Sequence, residues 1–211
     1  MNERNKSGKS KKATGIAMAV IIVASIFAMI APAFGDFRPV DPADYGKPAV
    51  YYLGPDNTTA PQYSNSRDVQ IHINTTVNIS AGKITIVSNP LCGNITGFTC
   101  NGTFFNCPTS VIKDNGGRLV ITFVSPGVPP VERGPGDYHI GNFTIHCNST
   151  ECCKTDLVFK TESYATDLTN NSVAHIPFGT DNGTFTCGKP SITVDKKVWD
   201  GSAWVDGPIT D

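Results

Sequence analysis

The chain has 211 residues, 17 Lys plus Arg against 18 Asp plus Glu, a formal net charge of −1 and an apolar content of 39%. Nothing in that balance supplies the basic surface that a nucleic-acid partner requires. The length allows a domain-sized core, and all seven cysteines fall at or after Cys92.

The chain opens with MNERNKSGKSKK, where Arg4, Lys6, Lys9, Lys11 and Lys12 stand against Glu3, and no charge occurs from Gly15 to Ala31. A basic head before an apolar run reads as an export signal, and Ala31-Pro32-Ala33 places small residues for cleavage after Ala33. Two alternatives stay open. The apolar run is close to the ~18 to 20 residues that cross a bilayer, so it also reads as an uncleaved membrane anchor; or a prepilin-type site lies at Lys12-Ala13. Each places the remainder outside the cell. Without residues 1–33 the chain keeps 12 basic and 17 acidic residues. Residues 34–48, with Pro39, Pro42 and Pro48 and no apolar periodicity, read as a linker.

Beyond the linker the pattern is strand and turn. In DVQIHIN, Val69, Ile71 and Ile73 alternate with Asp68, Gln70, His72 and Asn74, the period of a half-buried strand. Gly82 to Val87 follows, with Ile84 and Ile86 on one face. After Asp114-Asn115-Gly116-Gly117 come Leu119, Ile121 and Phe123. Ser125 to Gly136, with four prolines, is a loop. Tyr138 to Cys147 is a strand with Phe143 and Ile145 inward and Asn142 outward. Leu157 and Phe159 begin another, and Phe185 and Cys187 sit in a last one after Asp181-Asn182-Gly183. Both Asp-Asn-Gly stretches read as hairpin turns and not as calcium loops. The fold class is all-β, an antiparallel β-sandwich of the jelly-roll kind, after an N-terminal signal or anchor helix.

From 16 Asn and 36 Ser plus Thr, chance gives roughly 2.7 Asn-x-Ser/Thr triplets. Ten are present. One is at Asn5; the others begin at Asn57, Asn74, Asn78, Asn94, Asn101, Asn142, Asn148, Asn170 and Asn182. The excess points to N-linked glycans on a surface protein. In an oxidising compartment the cysteines are expected as disulfides. Cys147 with Cys153 would close the turn between the last long strands, and Cys92 with Cys107 would staple an earlier loop. Cys152 and Cys153 are adjacent and face different partners, and an odd total leaves one outside any intramolecular pair.

His146, Cys147, Cys152 and Cys153 have the chemistry of zinc ligands. However, His146 and Cys147 point to opposite sides of an extended chain, and exported thiols oxidise, so no metal or other cofactor is expected. No His-Glu-x-x-His, Gly-x-Ser-x-Gly or phosphate-cradling loop occurs. Tyr51, Tyr52, Tyr63, Trp199 and Trp204 are candidates for contact with sugar or a partner, against the alternative that they pack in the core.

From Ala49 to about Gly188 the run AVYYLGPDNTTAP, DVQIHINTT, KITIVSNPLCGNITGFTCNGTF, RLVITFVS, GDYHIGNFTIHC, TDLVFKTESYATDL and NGTFTC resembles the cohesin-like domains of archaeal surface proteins. The resemblance implies a nine-stranded jelly-roll sandwich without catalytic residues, which binds dockerin modules through one sheet face or serves in adhesion and assembly. Residues 189–211 form a tail, and from Ser191 the stretch SITVDKKVWDGSAWVDGPITD resembles the opening strand of an Ig-like surface repeat. The expected function is that of a non-catalytic exported surface module for protein assembly or adhesion, with a dockerin-like or other surface protein as partner. Its competitor is a carbohydrate-binding module of a secreted multidomain protein, with a polysaccharide as partner. Membrane contact is expected only through an uncleaved N-terminal segment.

Overall fold

The computed structural model describes residues 38–61, 63–172 and 175–188, and the backbone of 197–199 and 204–206. The expected signal or anchor and its cleavage point lie outside the described residues. In chain order the strands are β1 (Ala49–Gly54), β2 (Asn57–Ala60), β3 (Ser66–Thr75), β4 (Ala81–Val87), β5 (Gly93–Cys100), β6 (Asn106–Lys113) and β7 (Arg118–Val124). Then come β8 (Gly136–Cys147), β9 (Cys153–Phe159), β10 (Asp167–Thr169), β11 (Gly179–Asp181), β12 (Gly183–Cys187), β13 (Lys197–Trp199) and β14 (Trp204–Asp206).

Two sheets form a sandwich. Sheet 1 has the order β11-β1-β3-β8-β5, and sheet 2 the order β2-β12-β9-β4-β7-β6, with β10 also paired to β4. The two sheets thus hold twelve strands where the family resemblance implies nine; the short β2 and β11 lie at sheet edges, and β10 pairs with the interior strand β4 beyond the end of its β9 pairing. Pairing is antiparallel apart from β1 with β11 and β2 with β12, which are parallel. Among the described residues β13 pairs with β14.

Alternation places the core. Val69, Ile71 and Ile73 of β3, Phe143 and Ile145 of β8, Leu119, Ile121 and Phe123 of β7, and Leu157 and Phe159 of β9 all enter one buried cluster. Their odd-even partners face outward, as a strand period of two requires. Tyr51 lies at the centre, fully buried, with ring contacts to Phe178 at 5.2 Å, Phe159 at 5.9 Å and Phe123 at 6.3 Å. Its hydroxyl donates to the carbonyl of Asp167 at 3.0 Å, so the buried phenol keeps a partner. Room for that ring depends on Gly82, where a Cβ would stand 2.7 Å from Tyr51 Oη.

β8 holds a bulge. The β3–β8 register runs Ile71↔Gly141 and then His72↔His139, which leaves Ile140 as the extra residue, with its side chain in the core. That slip keeps Phe143 inward on one side of the bulge and His139 outward on the other.

Residues 38–48, expected as a linker, pack onto this frame. Asp41 caps a short 3-10 turn at Pro42–Tyr45, Pro42 is buried, and Asn74 Nδ2 donates to the Val40 carbonyl at 3.0 Å. Tyr45 rests on Gly179, whose missing side chain makes the space: a Cβ there would lie 2.7 Å from Tyr45 Cβ.

Candidate interaction faces

The three disulfides differ from the expected pairs. Cys92 bonds Cys153, Cys100 bonds Cys107 and Cys147 bonds Cys187, with Cα–Cα separations of 5.8, 5.9 and 5.2 Å. Neither Cys147–Cys153 nor Cys92–Cys107 forms. The reason is topological. β8 and β9 belong to different sheets, so the turn from Asn148 to Cys152 crosses the sandwich instead of closing a hairpin. Cys153 and Cys187 are register neighbours in sheet 2, and Cys147 is opposite Gly93 in sheet 1, beside Cys92. Two staples therefore stand side by side at one end, each joining sheet 1 to sheet 2. Cys100–Cys107 joins β5 to β6 at the other end. With their sulfurs oxidised, Cys147 and Cys153 are not thiolate ligands; Cys152 is exposed and outside these three bonds. Among the described residues no group of three His, Cys, Asp or Glu is arranged to hold a metal.

The outer face of sheet 1 is polar. Asn74, His72, Gln70, Asp68 and Ser66 of β3 lie beside Asp137, His139, Asn142, Thr144 and His146 of β8. Tyr52 stacks on His72 at 5.0 Å and His72 on His139 at 4.8 Å. Tyr52 Oη donates to Asp137 Oδ2 at 2.6 Å, and His72 Nδ1 lies 3.6 Å from Asp137 Oδ1. Burial pushes the His72 imidazole down to about 4, His139 pushes the same way, and Asp137 opposes them. Burial, with the Asp137 bond, raises the Tyr52 phenol. Three of the four histidines, His72 of β3 with His139 and His146 of β8, thus share one face. The sequence carries no direct signal for this, because the meeting depends on the β3–β8 register and the Ile140 bulge.

None of these imidazoles forms a recognisable nucleophilic triad. Ser66 Oγ lies 3.0 Å from His146 Nδ1, but among the described residues no carboxylate bonds the ring's other nitrogen. His175 Nδ1 is 3.1 Å from Asp167 Oδ1 and its ring stacks on Tyr164, with no hydroxyl or thiol nucleophile bonded to it among the described residues.

The outer face of sheet 2 is different. Across β6, β7 and β4 the register aligns Val111, Val120 and Thr85, then Lys113, Arg118 and Val87, with Val158 of β9 continuing the second row. Thr109, Thr122 and Lys83 form a third row. Thr85 is buried, its hydroxyl donating to the Ala165 carbonyl, so the rows present Val111, Val120, Thr109, Thr122, Val87 and Val158 to solvent, beside the charged Lys113, Arg118, Lys154 and Asp156. Val111 is an exposed large apolar residue of this face, whereas Ile112, also exposed, is opposite core Leu119 on the other side of the edge strand.

The aromatic candidates divide. Tyr51 and Tyr52 are both 0% exposed, which removes them as contacts for a sugar or partner. β1 is buried on both faces, so neither side of the strand offers a ring to solvent. Tyr63 is exposed. Trp199 and Trp204 are register partners in β13–β14, and their side chains lie outside the described residues.

The candidate sequon asparagines occupy several settings. Asn57, Asn78, Asn101, Asn148 and Asn182 are exposed, while Asn74, Asn94, Asn142 and Asn170 are half-buried. Asp181-Asn182-Gly183 is not a hairpin turn as expected, since it carries the chain from sheet 1 to sheet 2, and Asn182 Oδ1 accepts from the Phe159 amide at 2.9 Å. Asp114-Asn115-Gly116 does join antiparallel neighbours, with Asn115 and Gly116 in the left-handed region.

A cleft of about 650 Å³ lies between residues 38–45 and the β1–β2 turn, lined by Asp41, Asp44, Asp56, Asp181 and Arg38. Asp41 is engaged in capping the 3-10 turn, and burial together with Asp181 pushes the Tyr45 phenol up to about 12.

No protein-family model matches the sequence, and no curated protein matches it. Among solved structures the likeness is to cohesins. A chain of a type I cohesin–dockerin complex from Clostridium thermocellum aligns with TM-score 0.54 at 8% identity, over 74% of this chain and 99% of that one. The seventh ScaB type I cohesin of Pseudobacteroides cellulosolvens aligns with TM-score 0.53 at 12% identity, over 68% of this chain and 94% of that one. A chain of the complex between the third ScaC cohesin and the ScaB dockerin of Acetivibrio cellulolyticus gives 0.54 at 13%, over 66% and 99%. The class defined by the fold is a cohesin-type β-sandwich.

Proposed function

We propose that this chain is a non-catalytic, exported cell-surface module that docks a dockerin-like or other surface protein on the outer face of β9-β4-β7-β6. The observation that carries the reading is that face itself. It brings Val111, Val120, Val87 and Val158 together beside the charged Lys113, Arg118, Lys154 and Asp156, and no Asn-x-Ser/Thr asparagine lies on those four strands. Apolar residues grouped among polar and charged ones are the anatomy of a protein interface. The cohesin-like fold supports the same partner class, since two of the similar structures are described as complexes with dockerins. Disulfides that join the two sheets support export, because such bonds persist in oxidising compartments.

The competing carbohydrate-binding reading is weakened by the burial of Tyr51 and Tyr52, which takes two stacking rings out of reach. Among the described residues no helix is long and apolar enough to cross a membrane. The test is calorimetric titration of the exported protein against a panel of dockerin modules, beside a panel of soluble polysaccharides. Saturable binding to a dockerin is expected. Saturable binding to a polysaccharide with no protein partner would overturn the assembly reading.

A further inference from the structure

We propose that the outer face of sheet 1 is a glycan-bearing face, whose strand-borne asparagines are modified before the sandwich closes. The proposal rests on the export reading above and goes beyond it by assigning modification sites.

Position comes first. Asn74 on β3, Asn142 on β8 and Asn94 on β5 point outward because their neighbours Ile73, Phe143 and Ile95 are in the core. Asn101 follows β5 directly and reaches the same face, its Nδ2 lying 3.1 Å from His139 Nδ1 and 3.0 Å from the His139 carbonyl. Four of the nine sequons beyond residue 37 therefore meet on one side. On sheet 2 the outer face holds only Asn57, on the edge strand β2. No exposed large apolar residue lies on the outer side of sheet 1, as expected of a surface meant to stay under sugar.

The hydrogen bonds orient the acceptor atoms. His139 Nδ1 accepts from Asn101 Nδ2, which places the ring proton on Nε2, where it donates to Asn142 Oδ1 at 2.7 Å. With its carbonyl held inward, Asn142 keeps its carboxamide nitrogen for the glycan. Asn94 Oδ1 is buried without a hydrogen-bond partner among the described residues, and Asn94 Cβ packs against Gly116. Asn74 Nδ2 uses one hydrogen for the Val40 carbonyl, and a glycosylated carboxamide retains one N–H, so that bond survives modification.

The transfer balances with a phosphate- or pyrophosphate-activated sugar as co-reactant. The carboxamide nitrogen attacks the anomeric carbon, an N–C bond forms and the C–O bond to the phosphate breaks. The phosphate carrier leaves with the electron pair, and the nitrogen gives one proton to a base of the transferase. An enzyme must enclose the three-residue acceptor to do this. In the folded chain Asn142 is flanked by Gln70 and Thr99, and the central residues Thr75, Ile95 and Phe143 are at most 1% exposed. The strand acceptors are therefore modified as the exported chain emerges, whereas Asn101-Gly102-Thr103 is exposed throughout and remains available afterwards.

The test is site-resolved glycopeptide mapping of the protein purified from the cells that export it, with and without Thr144→Ala, which removes the Asn142 acceptor. Asn74, Asn94 and Asn142 are expected to be occupied in most molecules, and Thr144→Ala is expected to lose the mass of one glycan. An exported chain with sugar only on loop asparagines such as Asn148 and Asn182, or with none, overturns the glycan face and leaves the assembly module standing. An unmodified chain retained inside the cell overturns both.

Discussion

His72 shows what one buried imidazole does to the whole sandwich. It lies between Tyr52 and His139, 7% exposed, with Asp137 beside it, and its proton affinity falls from the ordinary 6.5 to about 4, chiefly through burial. A folded-state value below the unfolded one means that the unfolded chain binds the proton more readily. His72 therefore leaves stability intact above pH 6.5 and lowers it progressively as pH falls toward about 4, with no further change below. Denaturant unfolding of the wild type and of His72→Gln across that range checks this. The wild type is expected to lose more stability on acidification than the variant, and parallel profiles would remove His72 as the cause. Sequence alternation placed His72 outward, but nothing in the sequence announced that His139 would stack on it. The same limit explains Tyr51 and Tyr52: two aromatic neighbours on one strand look like one inward and one outward ring, and here the chain buries both.

The cysteine staples act on whole elements. Cys92–Cys153 and Cys147–Cys187 close segments of 61 and 40 residues and tie sheet to sheet at one end, while Cys100–Cys107 closes only 7. By loop-closure entropy the long staples stabilise by about 4 kcal/mol each and the short one by about 2 kcal/mol. Cys147→Ser with Cys187→Ser is thus expected to cost more stability than Cys100→Ser with Cys107→Ser, read from denaturant midpoints. A non-reduced digest should yield the peptide pair holding Cys92 and Cys153. A pair joining Cys147 to Cys153 would contradict the sheet assignment of β8 and β9.

How far the elements were legible follows from the same physics. β3, β4, β7 and β8 bury one face, so their alternation appears directly in the residues, and their extents were readable to within a few positions. β6, NCPTSVIK, is an edge strand with mostly exposed residues and shows no such period; β10 and β11 are three residues long and held by register alone. Disulfide pairing was illegible because it depends on which sheet each strand joins. The Asn148–Cys152 turn has the look of a hairpin, yet it spans the sandwich.

On the scale of the molecule the two outer faces have opposite chemistry. Sheet 1 presents asparagine, histidine and aspartate in a bonded carpet, and sheet 2 presents valine and threonine beside charged residues. The all-β sandwich was readable from strand period and turn spacing. Which outward residues become neighbours on each face was not, because that depends on strand order and register. The account stands on that division, and paired substitutions test it most directly. Val120→Arg on β7 and Thr99→Arg on β5 place the same charge on opposite faces, and the affinity of each for the dockerin module bound by the wild type is measured by calorimetry. Val120→Arg is expected to weaken binding at least about 30-fold, the loss typical of disrupting an interface centre, with Thr99→Arg close to the wild type. Loss through Thr99→Arg with Val120→Arg unaffected would contradict the account.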